Sequence, residues 1–119
     1  MKDAVNLAEK LEKFSDHWSP KIVAEYNGNE IMVVKFQGEF PFHSHADTDD
    51  FFLVLEGQMT MELKDRKIEV GPGELYVVPK GVEHRPVAED EVKVLLIEPK
   101  GEPNSGDSTE RAAAVKEWI

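Results

Sequence analysis

Three histidines and one acidic loop carry the side chains of this chain best suited to chemistry. His43 and His45 stand two apart. Side chains at i and i+2 of a strand share a face, so both imidazoles would approach one point. His84 follows Pro79-Lys80-Gly81, where a tight turn starts a new strand. Asp50 opens the apolar run Phe51–Leu55, after a turn long enough to return it beside His45. Imidazole with carboxylate is the usual nitrogen–oxygen donor set for zinc, iron, nickel, copper or manganese. The pattern therefore points to one divalent transition metal held by His43, His45 and His84, with Asp50 as the carboxylate. If Asp50 faces inward, so do Phe52 and Val54, giving the site an apolar wall. Asp49 then points away, and Asp47 and Asp49 read as a solvated loop. The fourth histidine, His17, ends the N-terminal helix and reads as neutral.

Short strands must hold these residues. Leu7, Leu11 and Phe14 recur at helical spacing, which predicts an amphipathic helix over 4–14, ended by Ser19-Pro20. From Lys21 the period shortens. KIVAEY and EIMVVKF flank Asn27-Gly28-Asn29, a hairpin signal. Turns recur at Glu56-Gly57, Lys64–Lys67, Gly71-Pro72-Gly73 and Pro79-Lys80-Gly81. That rhythm predicts eight to ten strands between 21 and 98, in an all-β barrel or sandwich. The Ala-rich stretch 109–118 reads as a short helix. Trp118 and Ile119 should dock on this subunit or a partner.

In a single strand, Phe40 and Phe42 would face away from His43 and His45, and Phe51, Leu53 and Leu55 away from Asp50. That second face is apolar, whereas a solvated one would read polar. Something therefore covers it: the other sheet, the helix, the tail or a second subunit. Composition narrows the partners. The chain has 119 residues, 14 Lys plus Arg, 24 Asp plus Glu, a net charge of -10 and no cysteine. The length suits one domain. The acidic balance argues against nucleic acid and anionic membranes. Lack of cysteine excludes disulfides and thiolate zinc sites, and fits a reducing cytoplasm. The N-terminal stretch carries charges throughout and does not read as a signal peptide, and no apolar run reaches membrane-spanning length.

Two ordered motifs tie these readings to a family. The first reads Gly38, four residues, His43-Ser44-His45, four residues, Asp50, six residues, Gly57. The second reads Gly73, five residues, Pro79-Lys80-Gly81, two residues, His84, three residues, Ala88. The chain resembles the cupins over residues 30–98. The resemblance implies a double-stranded β-helix, or jelly-roll barrel, over 20–98, with a helix within 1–19 and a tail over 99–119 that packs on the barrel or a partner subunit. It departs from the cupin pattern at Gly38, one residue closer to His43, at Ala88 in place of Asn, and at Asp50 in place of Glu. Aspartate is one methylene shorter, so Asp50 ligates directly, acts through water, or leaves three histidines with waters.

The resemblance implies a homodimer and a wide range of chemistry. Fold does not select among activities. The expected function is a metal-dependent enzyme, an isomerase, lyase or dioxygenase, on a small polar molecule such as a sugar or oxo acid. The alternative is a non-catalytic small-molecule or metal-binding module. Glu39, Gln37, Gln58, Thr60, Tyr76 and Arg85 are candidate wall residues.

Overall fold

A computed structural model describes residues 3–119. Helix α1 (Leu7–Leu11) is capped by Asn6, whose side-chain oxygen accepts from the Glu9 N–H at 3.1 Å. It is shorter than the expected 4–14. The Lys13 N–H bonds back only three residues, to Lys10 O, and Phe14 turns off the axis to lie under the ammonium groups of Lys21 and Lys35. A five-residue helix is not stable by propensity. Packing of Leu7 and Leu11 against Val23 and Val33 holds it in place.

Eight strands follow: β1 (Lys21–Tyr26), β2 (Asn29–Glu39), β3 (Asp50–Glu56), β4 (Met59–Leu63), β5 (Lys67–Val70), β6 (Leu75–Val78), β7 (His84–Pro99) and β8 (Glu117–Trp118). The predicted β1–β2 hairpin is present, with Asn27 at φ 49° and Gly28 at φ 77°. Positive φ at both central residues is what a two-residue turn matching strand twist demands. β2 and β7 form the long antiparallel pair, from Asn29↔Pro99 to Glu39↔Val87. On its other side, β7 pairs with β4 through His84–Val87 and with β3 through Lys93–Ile97. One long ladder thus serves two sheets, β5-β4-β7-β2 and β6-β3-β7-β2-β1-β8, and the molecule is a jelly-roll barrel.

The interior follows strand parity. Met32, Val34 and Phe36 of β2, Phe52 and Val54 of β3, Met59 and Met61 of β4, and Val92, Val94 and Leu96 of β7 share one buried cluster. Positive φ occurs at Gly57 (92°), Gly73 (79°) and Gly81 (81°), where strands reverse. Gly57 is the tightest: a Cβ there would lie 2.9 Å from Glu91 O. Gly57→Ala is expected to cost about 1–3 kcal/mol from backbone conformation alone, with the clash added. Urea unfolding of the variant checks this, and an unchanged midpoint would contradict it.

One sequence expectation fails at the C-terminal end of the chain. The stretch 109–118 is not helical. Its Ala114 N–H donates to Asn104 Oδ1 at 2.8 Å, Lys116 is drawn to buried Glu98, and Glu117–Trp118 pairs parallel with β1. Tertiary partners thus outcompete alanine propensity. The tail lies on its own barrel, with the Ile119 N–H donating to Ile22 O at 3.1 Å. The second apolar face is covered only in part. Helix α1 and Ile119 pack over Ile31, Val33 and Leu55, whereas Leu75 and Val77 stay 56% and 40% exposed. Among the described residues, no helix is long and apolar enough to cross a membrane.

Candidate metal centre

His43 and His45 do not lie on a continuous strand. β2 ends at Glu39, and Pro41 follows; the pyrrolidine has no N–H to continue a ladder. The segment rejoins the sheet at one bridge, where the His43 N–H donates to His84 O at 3.0 Å and the His84 N–H to His43 O at 2.9 Å. The Gly81 N–H then donates to His45 O at 2.8 Å. These bonds fix two short pieces of chain against each other and place all three imidazoles together. The break at Pro41 also overturns one expectation. Phe40 does not face away from the histidines; it is buried and meets His43 edge-on at 5.2 Å. Phe42 does face outward, between Lys64 and Arg85.

Asp50 is the first residue of β3 and is buried among the three rings. Its Oδ2 lies 2.8 Å from His84 Nε2, 3.2 Å from His45 Nε2 and 3.9 Å from His43 Nε2. One donor atom from each of the four residues lies within 4.8 Å of the others. Aspartate therefore reaches the cluster despite its shorter stem. Phe52 and Val54 face inward beside it, and Asp49 faces out, accepting from the Lys80 N–H at 3.0 Å. His17 stands apart, paired with Glu91 at 2.7 Å.

The far nitrogen of each ring decides what the near nitrogen can do. His43 Nδ1 lies 3.0 Å from Pro41 O, His84 Nδ1 2.9 Å from Val82 O, and His45 Nδ1 2.9 Å from Glu102 Oε2. Carbonyls and carboxylates only accept, so each Nδ1 carries hydrogen. A neutral ring then turns an Nε2 lone pair inward. Three lone pairs facing one carboxylate oxygen repel unless a cation lies between them. His45 Nε2 is the buried side-chain polar atom left without a hydrogen bond of acceptable geometry among the described residues. Donors about 2.1 Å from one ion are about 3.0–3.4 Å from their neighbours, and the separations found bracket that range. The four residues fit a metal ion.

Charge follows from the same contacts. Burial, and then His84, lowers His43 to about 4. Burial would also lower His45, but Asp50, Glu102 and Glu98 outweigh it and raise that ring to about 9. Burial works to raise Asp50, yet its close contacts with His45 and His84 hold it at about 2. In the metal-free protein, a proton on His45 supplies the positive charge.

A small cavity of about 20 Å³, room for roughly one water, adjoins the cluster. Trp18, Phe36, Phe40, Phe52 and Leu96 form its apolar walls, and His43, Asp50, Glu98 and Asn104 its polar ones. Trp18 holds a left-handed backbone, φ 61°, which costs of order 1–3 kcal/mol in a non-glycine residue. Its N–H donates to Lys35 O at 2.9 Å, its indole N–H donates to Gln37 O at 3.1 Å, and its ring stacks on Phe36 at 4.4 Å. None of Glu39, Gln37, Gln58, Thr60, Tyr76 or Arg85 lines this cavity. Arg85, for example, is engaged outside by Glu39 and Glu62. The tail closes one side. Asp107 accepts from the Ser44 N–H at 2.7 Å, and Gly106 packs so closely on Ser44 and His43 that a Cβ would overlap them. Glu98 had a legible signal: it ends the inward row Val92, Val94, Leu96. The partners from the tail had none.

A jelly-roll barrel with two bridged histidine motifs at its mouth defines the class. Residues 30–98 match the cupin domain family, and the chain belongs to it. A cupin-2 domain-containing protein from Shewanella frigidimarina is 46% identical, superimposes with a TM-score of 0.80, and shares 81% of this chain and 94% of its own. Protein NMB1881 from Neisseria meningitidis is 31% identical, with a TM-score of 0.75, over 82% of this chain and 100% of its own. The uncharacterized protein YdbB of Bacillus subtilis is 29% identical over 86 residues, 71% of this chain and 74% of its own.

Proposed function

We propose that this protein binds one divalent transition metal through His43, His45, Asp50 and His84, and uses it on a small polar molecule such as an oxo acid or sugar. The observation that carries this reading is the convergence of three Nε2 atoms on Asp50 Oδ2, each ring having its Nδ1 committed to an acceptor. A bound ion would act as a Lewis acid, polarising a carbonyl or hydroxyl oxygen. The chain's own residues do the rest. Glu102 orients His45, the two motif backbones orient His43 and His84, and the aromatic walls exclude water. Metal analysis of protein purified without chelators or a nickel column tests the proposal, with about one equivalent expected. Less than about a tenth, with no gain on reconstitution, overturns it. Turnover of sugars, keto acids or catechols then supports an enzyme; binding without turnover supports the non-catalytic module.

We further infer a homodimer formed through the open end of the outer face. Phe51 pairs across to Val77 and Ile97, and Leu53 to Leu75 and Leu95, giving two apolar rows on β6, β3 and β7. Among the described residues, the outer edge of β6 pairs with no strand. An apolar patch beside an open edge favours a self-complementary partner. Light scattering at micromolar concentration should give twice the subunit mass, and Leu75→Lys with Val77→Lys should halve it. A wild-type mass of one subunit refutes the dimer.

A further inference from the structure

We propose that residues 102–114 of the C-terminal tail form a lid over the metal centre, which lifts to admit ion and ligand and closes by seating Glu102 on His45. The lid rests on the metal reading above and gives that reading its route of entry.

The closed centre is sealed. His43, His45, Asp50 and His84 are each 4% exposed or less. The adjoining cavity holds roughly one water, so no sugar or oxo acid reaches the cluster without a movement. The barrel is poorly suited to supply it. His43 and His84 exchange two backbone bonds, at 3.0 and 2.9 Å, and β3 is laddered on one side to β6 and on the other to β7. The ring of Trp18 packs on both Phe36 and Phe40 within the core.

The tail is built differently. Between Pro99, where β7 ends, and Glu117, where β8 begins, the chain joins no sheet. Of residues 100–116, only Ser105 is buried. Connections longer than about 12–15 residues without regular structure are usually functional, lids among them. Both ends of this one are pinned. The Lys100 N–H donates to Gly28 O at 3.1 Å; at the far end Lys116 faces buried Glu98 at 3.4 Å, and the Ile119 N–H donates to Ile22 O at 3.1 Å. The stretch between them meets the centre chiefly through side chains. Glu102 Oε2 lies 2.9 Å from His45 Nδ1, Asp107 accepts from the Ser44 N–H and hydroxyl at 2.7 and 3.1 Å, and the Arg111 guanidinium stands over the rings of Trp18 and Phe40. One backbone bond joins them, from the Asp107 N–H to Ser44 O at 3.0 Å. Few buried contacts and few backbone bonds mark the part of a fold that opens first.

Glu102 makes closure and ion binding one event. Its carboxylate accepts from His45 Nδ1, which turns Nε2 toward the cluster. A closed lid therefore favours the ion, and by linkage a bound ion favours the closed lid.

Zinc uptake by metal-free full-length protein, and zinc release to a chromogenic chelator, test the lid. The uptake rate should level off as zinc is raised, at the rate of opening. Gly106→Ala is a wedge: a Cβ there would overlap Ser44 O, and the alteration touches no candidate ligand and no strand. It should raise both the limiting uptake rate and the release rate roughly tenfold. Asp107→Ala should act in the same direction, and Gly57→Ala, which strains the barrel, should leave both rates nearly unchanged. Uptake that stays proportional to zinc, faster release without faster uptake in Gly106→Ala, or equal effects of Gly57→Ala and Gly106→Ala each overturns the lid. Hydrogen exchange on the same samples reads the opening itself. The Asp107 and Ala114 amides, which are bonded in the closed tail, should exchange faster than those of β2 and β7, and zinc should slow them about tenfold. Equal exchange in tail and barrel overturns the lid, and exchange unaffected by bound zinc overturns its coupling through Glu102. Protein that takes no zinc defeats the metal reading. Faster tail exchange in metal-free Gly106→Ala than in the unaltered chain then still supports the lid, and an unchanged rate overturns it.

Discussion

Protein carrying His84→Ala is expected to retain less than about a tenth of an equivalent of metal through gel filtration, against about one for the unaltered chain. Removing an outer partner of a ligand costs roughly 10–100-fold in metal affinity. Removing a donor atom must cost more, and His84 makes the shortest contact to Asp50, at 2.8 Å. The loss should extend to stability. His84 is 1% exposed and Asp50 4%. Taking away one partner leaves a buried carboxylate short of a bond, which costs roughly 3–5 kcal/mol when such a pair is broken. Urea unfolding of the metal-free variant measures that cost separately from metal loss. His17→Ala is the matched control, because His17 pairs with Glu91 near the surface, away from the cluster. Equal metal content in His84→Ala and His17→Ala would remove the basis for the proposed function.

Metal affinity should rise about 100-fold between pH 7 and pH 9, about tenfold per unit, and level off above. The cause is His45, held protonated to about 9 by Asp50, Glu102 and Glu98 against its burial. A metal ion takes the place of that proton, so binding near pH 7 should release about one proton per ion. Calorimetry in buffers of different ionisation enthalpy counts the proton, and a count of zero contradicts the argument. Stability of the metal-free protein should move the other way. The folded-state value of His45 is raised, so its stabilisation is present below about 6.5 and lost as pH rises through about 9. Burial, and then Asp50, raises Glu98 from 4.5 to about 7, so its contribution is lost over that earlier interval. His43 and Asp50 are lowered, and their contributions are already complete above pH 6.5. From pH 6.5 to 9 the melting temperature of the metal-free protein should therefore fall; a flat or rising profile contradicts this.

Local rules made most of the barrel and the clustering of His43, His45, Asp50 and His84 legible. The His-x-His pair, the turn before His84 and the parity of Asp50, Phe52 and Val54 are all short-range features, and each side chain lies where its spacing placed it. Phe40 was misassigned because one period was carried through Pro41, where the strand ends. Alanine content predicts a helix at 109–118, but Lys116 and Ala114 have partners ten or more positions away. Trp18, Glu102, Asn104 and Arg111 share one difficulty. They reach the site only when distant ends of the chain fold back on the barrel, and no local pattern records that return. Glu98 differs: a glutamate ending an inward row of valine and leucine is visible without coordinates.

Residues 99–119 touch the centre at several points, yet β1–β7 pair without them apart from the short β8 edge. Glu102 orients His45, Asp107 holds the histidine loop, and Arg111 stands over the Trp18 ring. Under the proposed function, drift in this segment would alter which ion and which molecule are accepted while the barrel's own packing is left intact. Specificity in such a protein is free to evolve faster than fold, and chains with near-identical barrels but divergent tails need not share a ligand.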